Sequence, residues 1–434
     1  VSSIQLRPPE RLHGPLRVPG DKSISHRILM FAGAAGGTTH VRNINRGDDV
    51  ATTIRALRAL GVGVADDGSV VSVEGSRELR DPPAAIDCGN SGTTMRVLVG
   101  FLAGRVNAGL DGDESLRSRP MERVATPLRA MGADVRCSLD GRAPLTLSRS
   151  DVRLHGITHE LESASAQVKT ALMLAALRAR GATTISSPRQ SRDHSELMLA
   201  EMGAALTVDG LRVRVQPSSL RALTDYEVPG DVSSAVYFIA AATCVQGSRI
   251  SVLGVGINPT RTAALDVMRD MGAHISIRGL RVMHGEPVAD IEVSSAAPLR
   301  NVELDPARIP NLIDEIPLLC ALAATAQGAF VVRGAEELRG KESDRIASTV
   351  ELLRAFGVAV TELPDGIAVR GGRPLRPPER VATGGDHRVG LTAAVLAAAA
   401  RAPIIIDDAA CIGTSFPGFT ESWYGAYATR AQAD

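Results

Sequence analysis

A helical phrase that ends in glycine recurs along this chain, and it constrains the fold more than any other feature. It reads LRALGVGV around Gly61, LRAMGADV around Gly132, LAEMGAAL around Gly203, VMRDMGAHI around Gly272 and LLRAFGVAV around Gly357. A degenerate sixth copy, WYGAYA, surrounds Gly425, and the glycines lie 71, 71, 69, 85 and 68 residues apart. In each clear copy the Leu, Met or Phe before the glycine closes an apolar helical stripe. The glycine then suits the left-handed position that stops the helix. A β-rich pair follows, as in VVSVEG from Val70 and LRVRVQ from Leu211.

Most copies also carry an upstream helix that is apolar all round: ALMLAALRA from Ala171, AVYFIAAATCV from Ala235 and IPLLCALAATA from Ile316. Such a helix needs partners on every side. Each unit therefore reads as strand, buried helix, strand, outer helix and two strands. The prediction is an inside-out (inverse) α/β barrel architecture: six βαβαββ units in two pseudo-threefold domains, helices inside and sheets outside. The units are too long for a one-dimensional solenoid, though a generic α/β repeat is the plainer alternative. A length of 434 residues also suits two cores better than one.

A larger repeat marks the boundary. VPGDKSISH begins at Val18 and VPGDVSSAV at Val228, 210 residues apart. Pro-Gly at both places suits a crossover or hinge. One domain is placed at residues 20–230, the other at 1–19 plus 231–434, with the hinge near Gly20 and Gly230. The segment before Gly20 is expected to give a strand to the C-terminal half.

Composition removes several function classes. Lys plus Arg and Asp plus Glu number 48 each, so no global field steers the chain onto nucleic acid or an anionic membrane. Any anion site must be a local cluster. Aromatics are only 3%, which argues against base-stacking platforms and predicts an aliphatic core. Cys88, Cys137, Cys244, Cys320 and Cys411 are scattered singly, as reduced intracellular thiols are, with no disulfide or zinc spacing. The N-terminal VSSIQLRPPERLHG has no apolar signal core, and LTAAVLAAAA from Leu391 is too short to span a membrane. A cytoplasmic location is expected.

Anion-binding segments accumulate along this neutral chain. KSISHR places Lys22, Ser23, Ser25 and Arg27 at a helix entry, where free backbone amides favour an anion. Alone, the run would be an N-cap with surface cations; it is not a Walker A loop, because Asp21 separates Gly20 from Lys22. GNSGTTMR from Gly89, Arg119, the run SASAQVK with Ser163, Ser165, Gln167 and Lys169, and Arg192 add to it. The C-terminal half offers Lys341, Glu342 and Arg345 in GKESDRI, and Asp386, His387 and Arg388 in GDHR. Arg and Lys beside Ser and Gly imply substrates rich in phosphate and carboxylate. Asp314 and Glu342, set among those cations, are candidate proton-transfer groups.

DKSISHR, GNSGTTMR, RPM, SAQVK, RDH, NPTR, IDE, KESDR, DHR and TSFPGF occur in this order between about residues 18 and 419. In that order they resemble the 5-enolpyruvylshikimate-3-phosphate synthase family, closer to its bacterial class II branch. The resemblance implies transfer of the enolpyruvyl group of phosphoenolpyruvate to the 5-hydroxyl of shikimate 3-phosphate, with loss of phosphate, through a tetrahedral intermediate. Carried over, Lys22, Ser23, Arg27, Ser165, the Ala166 backbone, Gln167, Arg192, Asp314 and Lys341 would hold shikimate 3-phosphate. Lys22, Gly92, Arg119, Gln167, Glu342, Arg345 and Arg388 would surround phosphoenolpyruvate. Glu342 would protonate the methylene, Asp314 would face the attacking hydroxyl, and Lys22 would assist. No metal or organic cofactor is implied. The expected state is a monomer that closes about Gly20 and Gly230, with glyphosate as an inhibitor because Gly92 leaves room for its phosphonate.

Three positions depart from the class I pattern: Thr414 replaces a Lys before SFP, Glu337 stands where an Asn contacts shikimate, and Val97 replaces a Pro. Bland roles are assigned to His26, His194 and His387, to Asp21 and Asp231 as caps, and to Cys411. Arg261 is read as structural or functional with equal weight, and Asp344 and Asp386 as orienting their neighbouring arginines. An enolpyruvyl transferase acting on a UDP-amino sugar or another hydroxy acid is the alternative, and a non-catalytic anion-binding scaffold is a third. The first is opposed by Lys22-Ser23, where its signature has Lys-Asn.

Overall fold

A computed structural model describes residues 3–76, 78–296 and 298–426. The chain forms two compact units. One comprises Gly20–Val228 with Met283–Glu286; the other comprises Val1–Pro19, Pro229–Val282 and Pro287–Asp434.

Within the first unit the repeat is visible as three four-stranded sheets of one topology. In each, a short strand pairs parallel to a second, and the second and fourth pair antiparallel to a third. The sets begin Asp225–Glu227 with Gly37–Arg42, Ile86–Asp87 with Ala108–Asp111, and Thr158–Glu160 with Thr183–Ser186. Helices Lys22–Ala34, Gly92–Leu102 and Ala166–Ala176 fill the space inside them and are buried on nearly every side. The tightest approach between two of them is at Gly100, where a Cβ would lie 2.1 Å from the Ala171 carbonyl oxygen. Outer helices such as Asp48–Ala59 carry charge on their exposed faces.

The second unit repeats this plan. Helices Val232–Cys244, Ile316–Thr325 and His387–Ala400 are its apolar interior, and every residue from Val232 to Thr243 is buried. Each large aliphatic side chain that these helices remove from water contributes ~1.5–3 kcal/mol. The chain's N-terminus completes two of the three sheets. His13–Leu16 pairs parallel with Arg249–Gly256, and Ile4–Leu6 pairs antiparallel with Ile404–Asp407. The strand expected before Gly20 is therefore present in this unit.

The repeated glycines behave as their position demands. Gly61, Gly132, Gly203, Gly272 and Gly357 all have φ between 73° and 103°, and the residues before them are buried. Gly425 differs. It is the last residue of helix Phe419–Gly425 and is not left-handed. At the crossover, a Cβ on Gly20 would lie 1.8 Å from the Asn43 carbonyl oxygen, so no larger residue fits this backbone.

The aliphatic-core expectation needs one correction. Four of the few aromatic residues, Phe238, Phe416, Phe419 and Trp423, cluster with ring centroids 5.4–6.3 Å apart. They pack the C-terminal helix onto helix Val232–Cys244, where flat, large side chains fill space that short aliphatics leave open. Among the described residues, no helix is long and apolar enough to cross a membrane.

Candidate active site

In the Gly20–Val228 unit, the three buried helices start beside one another, and each start is capped by its own sequence. Asp21 Oδ1 accepts from the Ile24 amide, Ser91 Oγ from Thr94, and Ser165 Oγ from Val168. Positive helix ends and free amides gather there. Lys22 Nζ lies 2.9 Å from Asp49 Oδ2, with both side chains mostly buried. Arg27 donates to Ser195 Oγ, Thr170 Oγ1 and the Ser23 carbonyl, so its guanidinium is fixed from three sides. Arg192 donates to Ser23 Oγ at 3.0 Å. Lys169 and Glu196 form a buried pair at 2.5 Å beneath this layer.

The second set of cations stands around Gly92. Arg96 Nη1 donates to Gln167 Oε1 at 2.8 Å, and Gln167 Nε2 donates to Thr93 Oγ1 at 2.9 Å, which fixes the amide's orientation. Arg119 is held by the Asn90 carbonyl, Asn90 Oδ1 and Ser115 Oγ. A Cβ on Gly92 would lie 3.1 Å from Arg96 Nη1 and 3.3 Å from Arg119 Nη1. His26, on the same helix as Lys22, is buried and bonded to Thr53 Oγ1. Burial, then the charges of Lys22 and Arg27, hold its pKa well below the ordinary 6.5.

In the other unit, Arg345 is 1% exposed and bound by three carboxylates. Its Nε lies 2.8 Å from Asp386, one Nη 3.3 Å from Asp314, and the other Nη donates to Glu342. Burial acts against its charge, but Asp386, Glu342 and Asp314 outweigh burial and raise its pKa. Arg388 lies 3.9 Å from Asp314 and 3.6 Å from Glu315. Burial pushes the Glu315 carboxyl up, opposed by Arg388. Ser233 donates to Glu315, and Arg261 is bound to Ser233 Oγ and Asp231. Lys341 Nζ is 3.0 Å from Glu337.

Lys22, Ser23, Arg27, Gly92, Arg119, Ser165, Ala166, Gln167 and Arg192 thus fall in one unit, and Asp314, Lys341, Glu342, Arg345 and Arg388 in the other. Asp21 and Asp231 are caps as read, although Asp231 also binds Arg261. Asp386 binds the Arg345 guanidinium and accepts only a backbone amide bond from its chain neighbour Arg388. Asp344 caps helix Arg345–Ala355 and binds Arg339 at 2.6 Å, so the arginines that these two orient are not the ones beside them in the chain. An N-cap carboxylate points back toward the first-turn amides, away from the residue that follows it. His194 is buried against Glu286 Oε1 at 2.6 Å, and Thr414 bonds back to the Cys411 carbonyl.

Arg96, Glu315 and Asp49 are charged members of these clusters that the sequence motifs did not single out. Arg96 lies four residues after Gly92, one turn along the same helix face, and that spacing was the available signal. Glu315 adjoins Asp314. Asp49, in a loop-to-helix GDDV, gave no local signal for its contact with Lys22.

A family model for EPSP synthase (3-phosphoshikimate 1-carboxyvinyltransferase) matches residues 6–423. The chain belongs to the EPSP synthase family. It is 46% identical over 420 residues to the 3-phosphoshikimate 1-carboxyvinyltransferase of Alkalilimnicola ehrlichii, covering 96% of this chain and 94% of that one. The protein of that name from Syntrophotalea carbinolica is 45% identical, with 96% and 97% covered. Among solved structures, EPSP synthase from Acinetobacter baumannii superposes with a TM-score of 0.87 at 36% identity, over 99% of both chains. The enolpyruvyl transferase NikO from Streptomyces tendae superposes at 0.75 with 19% identity, a likeness of fold.

Proposed function

We propose that this EPSP synthase family member moves the enolpyruvyl group of phosphoenolpyruvate onto the 5-hydroxyl of shikimate 3-phosphate and releases phosphate. The observation that carries this is the pair of charged clusters: capped helix starts with fixed Arg and Lys in one unit, and a guanidinium held by three carboxylates in the other. Two phosphates and a carboxylate repel one another, and only such a density of cations offsets that in a site poor in water.

Ser23, Arg27, Ser165, the Ala166 amide, Gln167 and Arg192 are assigned to shikimate 3-phosphate, joined by Lys22, Asp314 and Lys341. Gly92, Arg119, Gln167, Arg345 and Arg388, with Lys22 and Glu342, are assigned to phosphoenolpyruvate. Asp314 accepts the proton of the attacking hydroxyl as its oxygen bonds to C2, and Glu342 protonates the C3 methylene. The resulting ketal then loses phosphate while a base removes a proton from the new methyl group, restoring the double bond. Arg345 links these roles. When the carboxylate of phosphoenolpyruvate takes a place on this guanidinium, Glu342 gives up its bond there and is available to carry the proton.

Both sets of residues must serve one pair of substrates, so the hinge at Gly20 and Gly230 belongs to this proposal. A scattering profile left unchanged by shikimate 3-phosphate would count against the hinge. The same reading takes glyphosate as an inhibitor and the protein as a cytoplasmic monomer. The reaction itself is tested by phosphate release from phosphoenolpyruvate with each acceptor in turn. Release with shikimate 3-phosphate alone is expected; release with a UDP-amino sugar, or with neither, would overturn the assignment.

A further inference from the structure

The buried helices of the Gly20–Val228 unit converge at their C-termini as well as at their starts: Ala34, Phe101 and Leu174 line one cavity of about 390 Å³. A wider groove of about 800 Å³ adjoins it, and Arg105, Arg153 and Arg178 line both. Arg149 and Arg180 bring the wider groove to five arginines. Among the described residues that line it, only Glu78 and Asp151 are carboxylates.

Helix C-termini attract cations, and that explains part of this cluster. Arg105 donates to the Phe101 carbonyl and to that of Ser76, and its guanidinium lies 4.8 Å over the Phe101 ring. Arg149 is held by Asp81 at 2.8 Å. The remainder is not explained this way. Among the described residues, Arg153, Arg178 and Arg180 have no carboxylate partner. The guanidinium groups also disfavour one another's charge: Arg105 is brought down to about 9 by burial and then by Arg178, and Arg178 is lowered by burial and by Arg153. Mutual repulsion without an intervening acid is a standing destabilisation, of the kind a binding site imposes on its scaffold.

We propose that this groove is a second anion site, remote from the capped helix starts, which binds a compact anion of two or three linked phosphates. Planar guanidinium forks match phosphate oxygens in pairs, and several linked phosphates are needed to engage arginines spread along a groove. Its volume suits a small molecule. Among the described residues, none that lines the wider groove is aromatic, and the Phe101 ring in the smaller cavity is covered by Arg105, so none of them is placed to stack a nucleobase.

The test is calorimetric titration with tripolyphosphate at constant ionic strength, chelator present, on the wild type, the R153Q/R178Q double variant and R192Q. Both substituted groove arginines are exposed, which favours a folded variant. One saturable site is expected in the wild type. Losing two charge-assisted contacts should weaken it at least about tenfold in R153Q/R178Q. R192Q should bind as the wild type does, and phosphate release by the double variant should be unchanged. ATP should bind no more tightly than tripolyphosphate. Wild-type affinity in R153Q/R178Q, loss of binding in R192Q, or no saturable heat in the wild type would each overturn the proposal. Thermal stability gives an independent reading. With the ligand absent, R153Q/R178Q should melt no lower than the wild type, and a lower melting temperature would mean that the arginines serve only the helix ends.

Discussion

Gly92 and His26 show how much a single position decides in the charged layer of the Gly20–Val228 unit. A Cβ at Gly92 falls inside ordinary contact distance of two guanidinium ends, and these can yield by a few tenths of an ångström. Gly92→Ala should therefore fold, raise the KM for phosphoenolpyruvate modestly, and weaken glyphosate inhibition by about tenfold or more, since a ~1.4 kcal/mol clash is enough for that. Inhibition curves that coincide for the two proteins would contradict the steric argument. His26 makes a pH prediction. Its pKa is depressed in the folded state, so the folded protein binds fewer protons than the unfolded one below 6.5. Its contribution to stability is whole above pH 6.5 and falls as the pH drops below it. His26→Asn should flatten that acid limb in melting curves taken between pH 7 and 5, and an equally steep limb in the variant would assign the loss to other groups. Glu342→Ala tests the proposed proton donor: turnover should drop ~100-fold or more with the melting temperature held. Retained turnover would move the role to Lys22 or Asp314.

At the scale of elements, the contact of helix Gly92–Leu102 with helix Ala166–Ala176 is the closest between the buried helices of its unit. Gly100→Ala places a methyl 2.1 Å from a backbone oxygen that cannot rotate away, so the helices must separate. A loss of ~1–3 kcal/mol is expected in denaturant unfolding, and a neutral result would mean the helices are less tightly apposed. Such elements were legible in the sequence because their signals are local. Apolar runs, small residues at the stops and glycine after the last turn all sit within a dozen residues of one another. The same locality explains the misses. WYGAYA shares the glycine of the repeated phrase, yet Gly425 is the last residue of its helix and is not left-handed. Asp49 reaches Lys22 across 27 residues, a contact that no spacing encodes. Asp344 stands next to Arg345 in the chain, yet its cap geometry gives it to Arg339.

For the whole molecule, the repeat explains why the chain's beginning matters to its end. Ile4–Leu6 occupies the edge of a sheet whose other strands come from residues 380–407, and Leu6 is buried beneath it. Deleting residues 1–7 should lower the melting temperature of the unit containing Pro229–Val282, with the Gly20–Val228 unit protected from hydrogen exchange as before. Uniform loss of protection would show that the two units unfold as one. The chemistry assigned to the molecule rests on protonation of the phosphoenolpyruvate methylene before phosphate departs. The direct measurement is turnover in deuterium oxide, with the enolpyruvyl product and unreacted phosphoenolpyruvate analysed by mass spectrometry. Addition followed by elimination passes through a methyl group and must leave deuterium in the methylene of the product. Product formed with phosphate release but no deuterium at that carbon would contradict the account.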